Sequence, residues 1–121
     1  MVKKWSIVYY KTRSNKSPVF DFIQSFDIKT RARIINTLDT LKEFGINLNL
    51  PYSKKLTGID IREIRILGKN NLRILYIAIA NKSFLLLHGF RKKKNRTDRY
   101  EIETALKRLK EYKSRRSGVA I

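Results

Sequence analysis

Three apolar segments that follow one another between Ile61 and Arg91 constrain the fold of this chain more than any other feature. Ile61 to Leu67, Leu72 to Ala80 and Ser83 to Arg91 are separated only by Gly68-Lys69-Asn70-Asn71 and by Asn81-Lys82. Segments joined by so few turn-forming residues pair as antiparallel hairpins, because a parallel pair needs a long crossover. Alternation sorts the side chains of the first two. Arg62, Ile64 and Ile66 point one way and Glu63 and Arg65 the other, while Arg73, Leu75, Ile77 and Ile79 share a face. In the third, Phe84-Leu85-Leu86-Leu87 reads as a strand buried on both faces. It delivers His88, Phe90, Arg91, Lys92, Lys93 and Lys94 to its exposed end.

The flanking segments supply helices. Trp5 to Tyr10 alternates as a first strand, and Ser17-Pro18 reads as a cap followed by proline in the first turn of a short helix running to about Phe26. Asp27 is a second cap; Ile34, Ile35, Leu38, Leu41 and Phe44 then fall at helical spacing until Gly45 stops them. Ile46 to Gly58 reads as an irregular connection. Thr97 or Asp98 caps a last helix, with Glu101 at capping-box spacing and an apolar face of Ile102, Ala105, Leu106 and Leu109. The expected architecture is α+β: an antiparallel-rich twisted sheet in the order β-α-α-β-β-β-α with helices against one face. One domain over 1–112 is expected, with a flexible basic tail over 113–121.

Charge narrows the partners. The chain of 121 residues holds 28 Lys and Arg against 10 Asp and Glu, a formal net charge of +18, and it has no cysteine. Thiol chemistry, disulfides and cysteine-ligated metals are therefore excluded. No long apolar run begins the chain, which reads as soluble and cytoplasmic with no membrane partner. Self-repulsion at this charge is relieved by a polyanion, and nucleic acid is the commonest one.

With helices on one face of the sheet, the other face is free to gather basic side chains from separate strands. Lys54, Lys55, Arg62, Arg65, Lys69 and Arg73 form one arm, and the twelve Lys and Arg from Gly89 to the end, against four acids, a second. Tyr76, Phe90 and Tyr100 are candidate stacking platforms for unpaired bases as well as candidate core aromatics. RNA carries its own nucleophile, the 2′-hydroxyl, so cutting it requires positioning, proton transfer and stabilisation of phosphorane charge, and arginine suits the last task. The acids are scattered and do not suggest a two-metal site, so no metal or other cofactor is expected. His88, the one histidine, reads either as a general acid or base or as a structural residue ending a buried strand. Glu63 reads as a base or, as adopted here, a charge partner for a neighbouring arginine.

Leu56-x-Gly58, Arg62-Glu63-Ile64-Arg65, Leu72-Arg73-Ile74-Leu75-Tyr76, Leu86-Leu87-His88-Gly89-Phe90-x-Lys92-Lys93, Thr97 and Glu101-Ile102-x-x-Ala105 follow in that order. Together they resemble the phage-derived Gp49-like, or HigB-like, branch of the RelE/ParE toxin superfamily. The resemblance implies a RelE-like fold and the toxin half of a type II toxin–antitoxin pair. It implies a ribosome-dependent, metal-independent mRNA endonuclease neutralised by a HigA-like helix-turn-helix antitoxin. Carried over by position, Arg65, Arg73, Arg91, Lys92, Lys93 and His88 are the implied catalytic group. Lys54, Lys55, Arg62, Phe90, Lys94 and Arg96 are the implied contacts to RNA or ribosome. Arg91 stands where a neutral residue is common, and Thr97 is not followed by the usual proline. The competing readings are a ParE-like inhibitor of DNA gyrase and a non-catalytic RNA- or ribosome-binding module.

Overall fold

The computed structural model describes residues 4–93 and 95–116. Strand β1 (Ser6–Tyr9) leads into helices α1 (Pro18–Gln24) and α2 (Ile28–Phe44). Strands β2 (Ser53–Lys55), β3 (Arg62–Ile66), β4 (Leu72–Ile79) and β5 (Ser83–Arg91) follow, and α3 (Arg99–Arg116) closes the chain. They form one five-stranded sheet in the order β1-β5-β4-β3-β2, with β1 parallel to β5 and every other pair antiparallel. The α+β class and the β3–β4–β5 meander agree with the sequence reading.

Local chemistry sets the helix ends. Asp27 accepts a hydrogen bond on Oδ1 from the Thr30 amide at 3.2 Å, and Pro18 occupies the first turn of α1. Gly45 ends α2 at φ 57°, where a Cβ would lie 2.4 Å from Trp5 Nε1; the position needs glycine for its backbone and for its space. Trp5 in turn stacks on Phe84 with ring centroids 4.3 Å apart, which ties the start of the chain to the sheet.

Three expectations are corrected. The helices do not share one face: Val19, Ile23, Ile34, Leu38 and Leu41 of α1 and α2 pack on Ile64, Ile74, Tyr76, Phe84 and Leu86. Ala105 and Leu109 of α3 pack on Leu75, Leu85, Leu87 and Phe90 from the opposite side. A strand apolar on both faces, as at Phe84 to Leu87, needs cover on both. Burying each such side chain contributes about 1.5–3 kcal/mol. The stretch read as irregular contains β2, a three-residue edge strand whose exposed Lys54 and Lys55 guard the sheet against further pairing. The tail expected to be flexible from Lys113 is helical to Arg116, and 117–121 lie outside the described residues.

A bulge in β5 decides what faces α3. Tyr76 pairs with Leu86 but Leu75 pairs with His88, so Leu87 is an extra residue. Before it, Leu85 and Leu87 face α3; after it, His88 and Phe90 do, opposite Leu75 and Arg73. Unbroken alternation would send His88, Phe90 and Lys92 to the α1–α2 side. Gly89 lands on that side instead, where a Cβ would meet the Phe22 ring at 2.4 Å.

Candidate functional site

Beyond the region that α3 covers, β3, β4 and the end of β5 bring Arg65, Arg73 and Lys92 together around one carboxylate. Glu63 is 1% exposed. Its Oε1 lies 3.5 Å from Arg73 Nε, 3.6 Å from Lys92 Nζ and 3.9 Å from Arg65 Nε. Register explains the convergence: Arg65 stands opposite Arg73, Arg73 opposite Phe90, and Glu63 opposite Leu75, all on the α3 side. Lys92 reaches the group because the bulge has reset its strand.

The geometry is that of charges held near one another without tight pairing. Each cation–carboxylate distance exceeds the 2.7–3.2 Å of a direct N–H···O bond. The Nε groups of Arg65 and Arg73 are both buried without a hydrogen-bond partner. Arg73 uses one terminal nitrogen on the Leu72 carbonyl at 3.0 Å. Burial pulls the Arg73 guanidinium below its ordinary pKa, with the Arg65 charge acting in the same direction and Glu63 opposing both. An arginine so placed remains charged at neutral pH. Three cations around one carboxylate leave an excess positive charge in a site with spare N–H donors, an arrangement that attracts an anion. Thr97, just before α3, donates its hydroxyl to Glu63 Oε2 and fixes the other side of the carboxylate.

Two hollows adjoin this cluster. One, of about 340 Å³, is lined by Arg65, Asn71, Arg73, Lys92, Lys93 and Asn95. The other, of about 320 Å³, lies between β2 and the start of α3, with Lys54, Lys55, Leu56, Thr57 and Ile102 among its walls and Arg96 and Thr97 at its rim. Among the residues named from sequence, Arg65, Arg73, Lys92, Lys93, Lys54, Lys55 and Arg96 therefore border one connected basic cleft. Arg91 is the exposed last residue of β5 and lines a smaller recess, of about 110 Å³, with Lys92, Lys93 and Arg96. Lys94 lies outside the described residues.

The remaining three do not join them. Arg62 belongs to the α1–α2 side, where its guanidinium bonds Ser53 Oγ at 3.0 Å and Asn49 Oδ1 at 3.2 Å; it anchors the loop before β2. Phe90 is 6% exposed and stacked on His88, so it offers no open face to a base; Tyr76 is core as well. His88 faces α3, with Nε2 at 2.7 Å from Glu101 Oε1 and Nδ1 at 3.2 Å from an Arg108 terminal nitrogen. Arginine can only donate, so Nδ1 accepts and the ring proton sits on Nε2 toward Glu101. Burial pushes the His88 pKa down, Arg108 adds to that, and Glu101 opposes it. Glu101 is thus spent on His88 rather than on a capping box.

Sequence reasoning read Glu63 as a charge partner for one neighbouring arginine, not as the centre of three cations, and gave Thr97 only a place at the start of the last helix. A signal was present: a lone carboxylate in an apolar strand that also carries Arg62 and Arg65 must find partners to be buried. Among the described residues no group of three His, Asp or Glu is placed to hold a metal ion, and no helix is long and apolar enough to cross a membrane.

The family model described as "Phage derived protein Gp49-like (DUF891)" matches residues 21–110, which is 90 of the 121 residues and spans the whole cleft. No curated protein matches the chain.

Proposed function

Because the chain belongs to the phage-derived Gp49-like family, which is the RelE/HigB-like toxin family, we propose that it is the toxin of a type II toxin–antitoxin pair and cuts mRNA on the ribosome. The observation that carries this reading is the convergence of Arg65, Arg73 and Lys92 on the buried Glu63, with arginine N–H groups left unsatisfied.

In this reading the scissile phosphate sits over the three cations. The ribose 2′-oxygen attacks the adjacent phosphorus and loses its proton, the bond from phosphorus to the 5′-oxygen breaks, and that oxygen takes up a proton. Charge grows on the non-bridging oxygens as the phosphorane forms, where Arg65 and Arg73 can bond it through fixed forks and Lys92 as a point charge. Glu63 keeps the cations preorganised and prevents their mutual repulsion from splaying them apart. Arg91 and Lys93 at the strand end, with Lys54, Lys55 and Arg96 at the rim, draw in and orient the RNA backbone. His88, held on both ring nitrogens, acts by fixing α3 to β5. The ribosome supplies the single-stranded mRNA in extended form.

The family implies an antitoxin partner. We assign that role to a HigA-like helix-turn-helix protein carrying acidic side chains to this cleft, which excludes RNA by occupying the same cations.

The test is translation of a defined mRNA in a purified system, with wild type beside Arg73→Ala and new 5′ ends mapped by primer extension. Cuts that require ribosomes and fall by about 10²–10³-fold in the variant are expected. Intact message with both proteins overturns the endonuclease and leaves gyrase inhibition or simple RNA binding.

A further inference from the structure

We propose that the hollow between β2 and the start of α3 is a nucleobase subsite, in which Leu56 and Ile102 take the faces of one base and Thr57 and Asn95 its edge. The inference rests on the reading of the neighbouring cluster as a phosphate cradle and extends it from a phosphate to a nucleotide.

The two hollows differ in chemistry and share a wall. The cradle is lined by charged and amide side chains alone. The second hollow has the same Arg65, Lys92 and Asn95 on its near side but an aliphatic component from Leu56 and Ile102. A nucleotide has the matching division: an anionic phosphate and, one sugar away, a flat group with apolar faces and a hydrogen-bonding rim. The hollow's volume of about 320 Å³ is near the lower end of the ~300–1,000 Å³ range of ligand clefts, the end suited to a single base rather than a longer segment.

Leu56 and Ile102 come from separate elements, the end of β2 and the first turn of α3, and both are only partly buried although each borders an apolar cluster or helix. The side chains of Thr57 and Asn95 are exposed and have no hydrogen-bond partner among the described residues. An asparagine amide offers a donor and an acceptor side by side, the pattern that reads a base edge. Of the aromatic residues named from sequence, Tyr76 and Phe90 are buried in the two cores, and Tyr100 is exposed but borders a different hollow with Tyr10 and Thr12. The apolar walls offered to a base beside the cradle are those of Leu56 and Ile102.

The experiment titrates the full chain with the four nucleoside 3′-monophosphates and, separately, with inorganic phosphate, following backbone amide shifts. At least one nucleotide should bind about tenfold more tightly than inorganic phosphate, with shifts at Thr57 and Ile102 that phosphate alone does not cause. Ile102→Ala should remove most of that difference and leave the affinity for inorganic phosphate unchanged. Thr57→Ala, at an exposed position that lines the second hollow and not the cradle, does the same without touching the core, and it should also flatten the ranking of the four bases. Nucleotides that bind no better than inorganic phosphate, or variants that weaken both probes equally, overturn the subsite. The readout requires no ribosome and no cleavage. Base-dependent binding by a chain that fails to cut mRNA keeps the subsite and removes the endonuclease, whereas cutting with phosphate-only binding does the reverse.

Discussion

Two groups of charged side chains sit on the same side of this sheet, and they are built in opposite ways. Around His88 every group has a close partner: Glu101 at 2.7 Å, Arg108 at 3.2 Å, and Arg108 again on the Leu87 carbonyl at 2.9 Å. Around Glu63 three cations stand 3.5–3.9 Å from one oxygen, with two arginine Nε groups unpaired. A satisfied buried network rigidifies, whereas an unsatisfied one holds free energy that a ligand can recover. The single histidine, by residue type the first choice for acid–base chemistry, lies in the satisfied group. The contrast shows that chemistry-bearing residue types are a weaker guide to a site than unfinished hydrogen bonding.

The sharpest way to break the comparison is to remove the two hubs. Glu63→Ala leaves three cations facing one another below the surface and should cost about 3–5 kcal/mol of stability, read from denaturant unfolding. Inorganic phosphate should restore more stability to this variant than to wild type, because the anion takes the place of the carboxylate. Equal effects of phosphate on both would show that the cluster does not bind anions. Arg108→Ala should cost less, about 1–3 kcal/mol, by leaving the Leu87 carbonyl and His88 Nδ1 unpaired. It should lower mRNA cutting through the position of Lys92 by a smaller factor than Arg73→Ala does; a loss as large as that of Arg73→Ala would place the second group in the chemistry.

The smallest expected effect is on pH. The folded His88 pKa lies below the ordinary value of 6.5, with burial as the main cause. Well above pH 6.5 the ring is neutral in both states and contributes no slope. As pH falls through that value the unfolded chain binds a proton that the folded chain refuses, so stability should decline by no more than about 1.4 kcal/mol per pH unit until the folded ring also protonates. His88→Asn should flatten this decline in thermal melts between about pH 7 and pH 5. Stability that rises on acidification in the wild type would mean that the Glu101 ion pair outweighs burial.

Much of this was legible in the sequence. Alternation placed Arg65 with Glu63 and apart from Arg62, and it placed Arg73 with Leu75, as the sheet does. Short turns gave the meander, and Asp27 and Gly45 gave the ends of α2. The placement of α3 was not legible, because an amphipathic helix states that it covers a face without stating which one. Its clue lay elsewhere, in the unbroken apolar run of β5. Strand β2 escaped because three residues are too few to show a period, and its pairing depends on β3 being present. In the structure Phe90 and Arg62 lie apart from the open cleft for a reason the sequence does not carry: charge and aromaticity are properties of a residue, whereas exposure is a property of its neighbours. Glu63 drew too little weight as one acid among many bases, although its burial in an apolar strand is what gives the cations a point to converge on.

The extra residue at Leu87 works as a shift of frame within a strand. Face assignment along β5 is a matter of counting, and the count changes there without regard to the identity of any side chain beyond it. Point substitutions from Phe84 to Lys92 can each be read for size and charge, and none of them alters the count. Closing the bulge does: with Leu87 taken into an unbroken ladder, every cation of the chain stays in place in the sequence while His88, Phe90 and Lys92 turn toward α1 and α2, whereas deletion of Leu87 lets the strand pair regularly and leaves them facing α3. How the strand accommodates its length is therefore a separate matter from what its side chains are, and the cleft owes its third cation to the bulge that sets Leu87 outside the pairing.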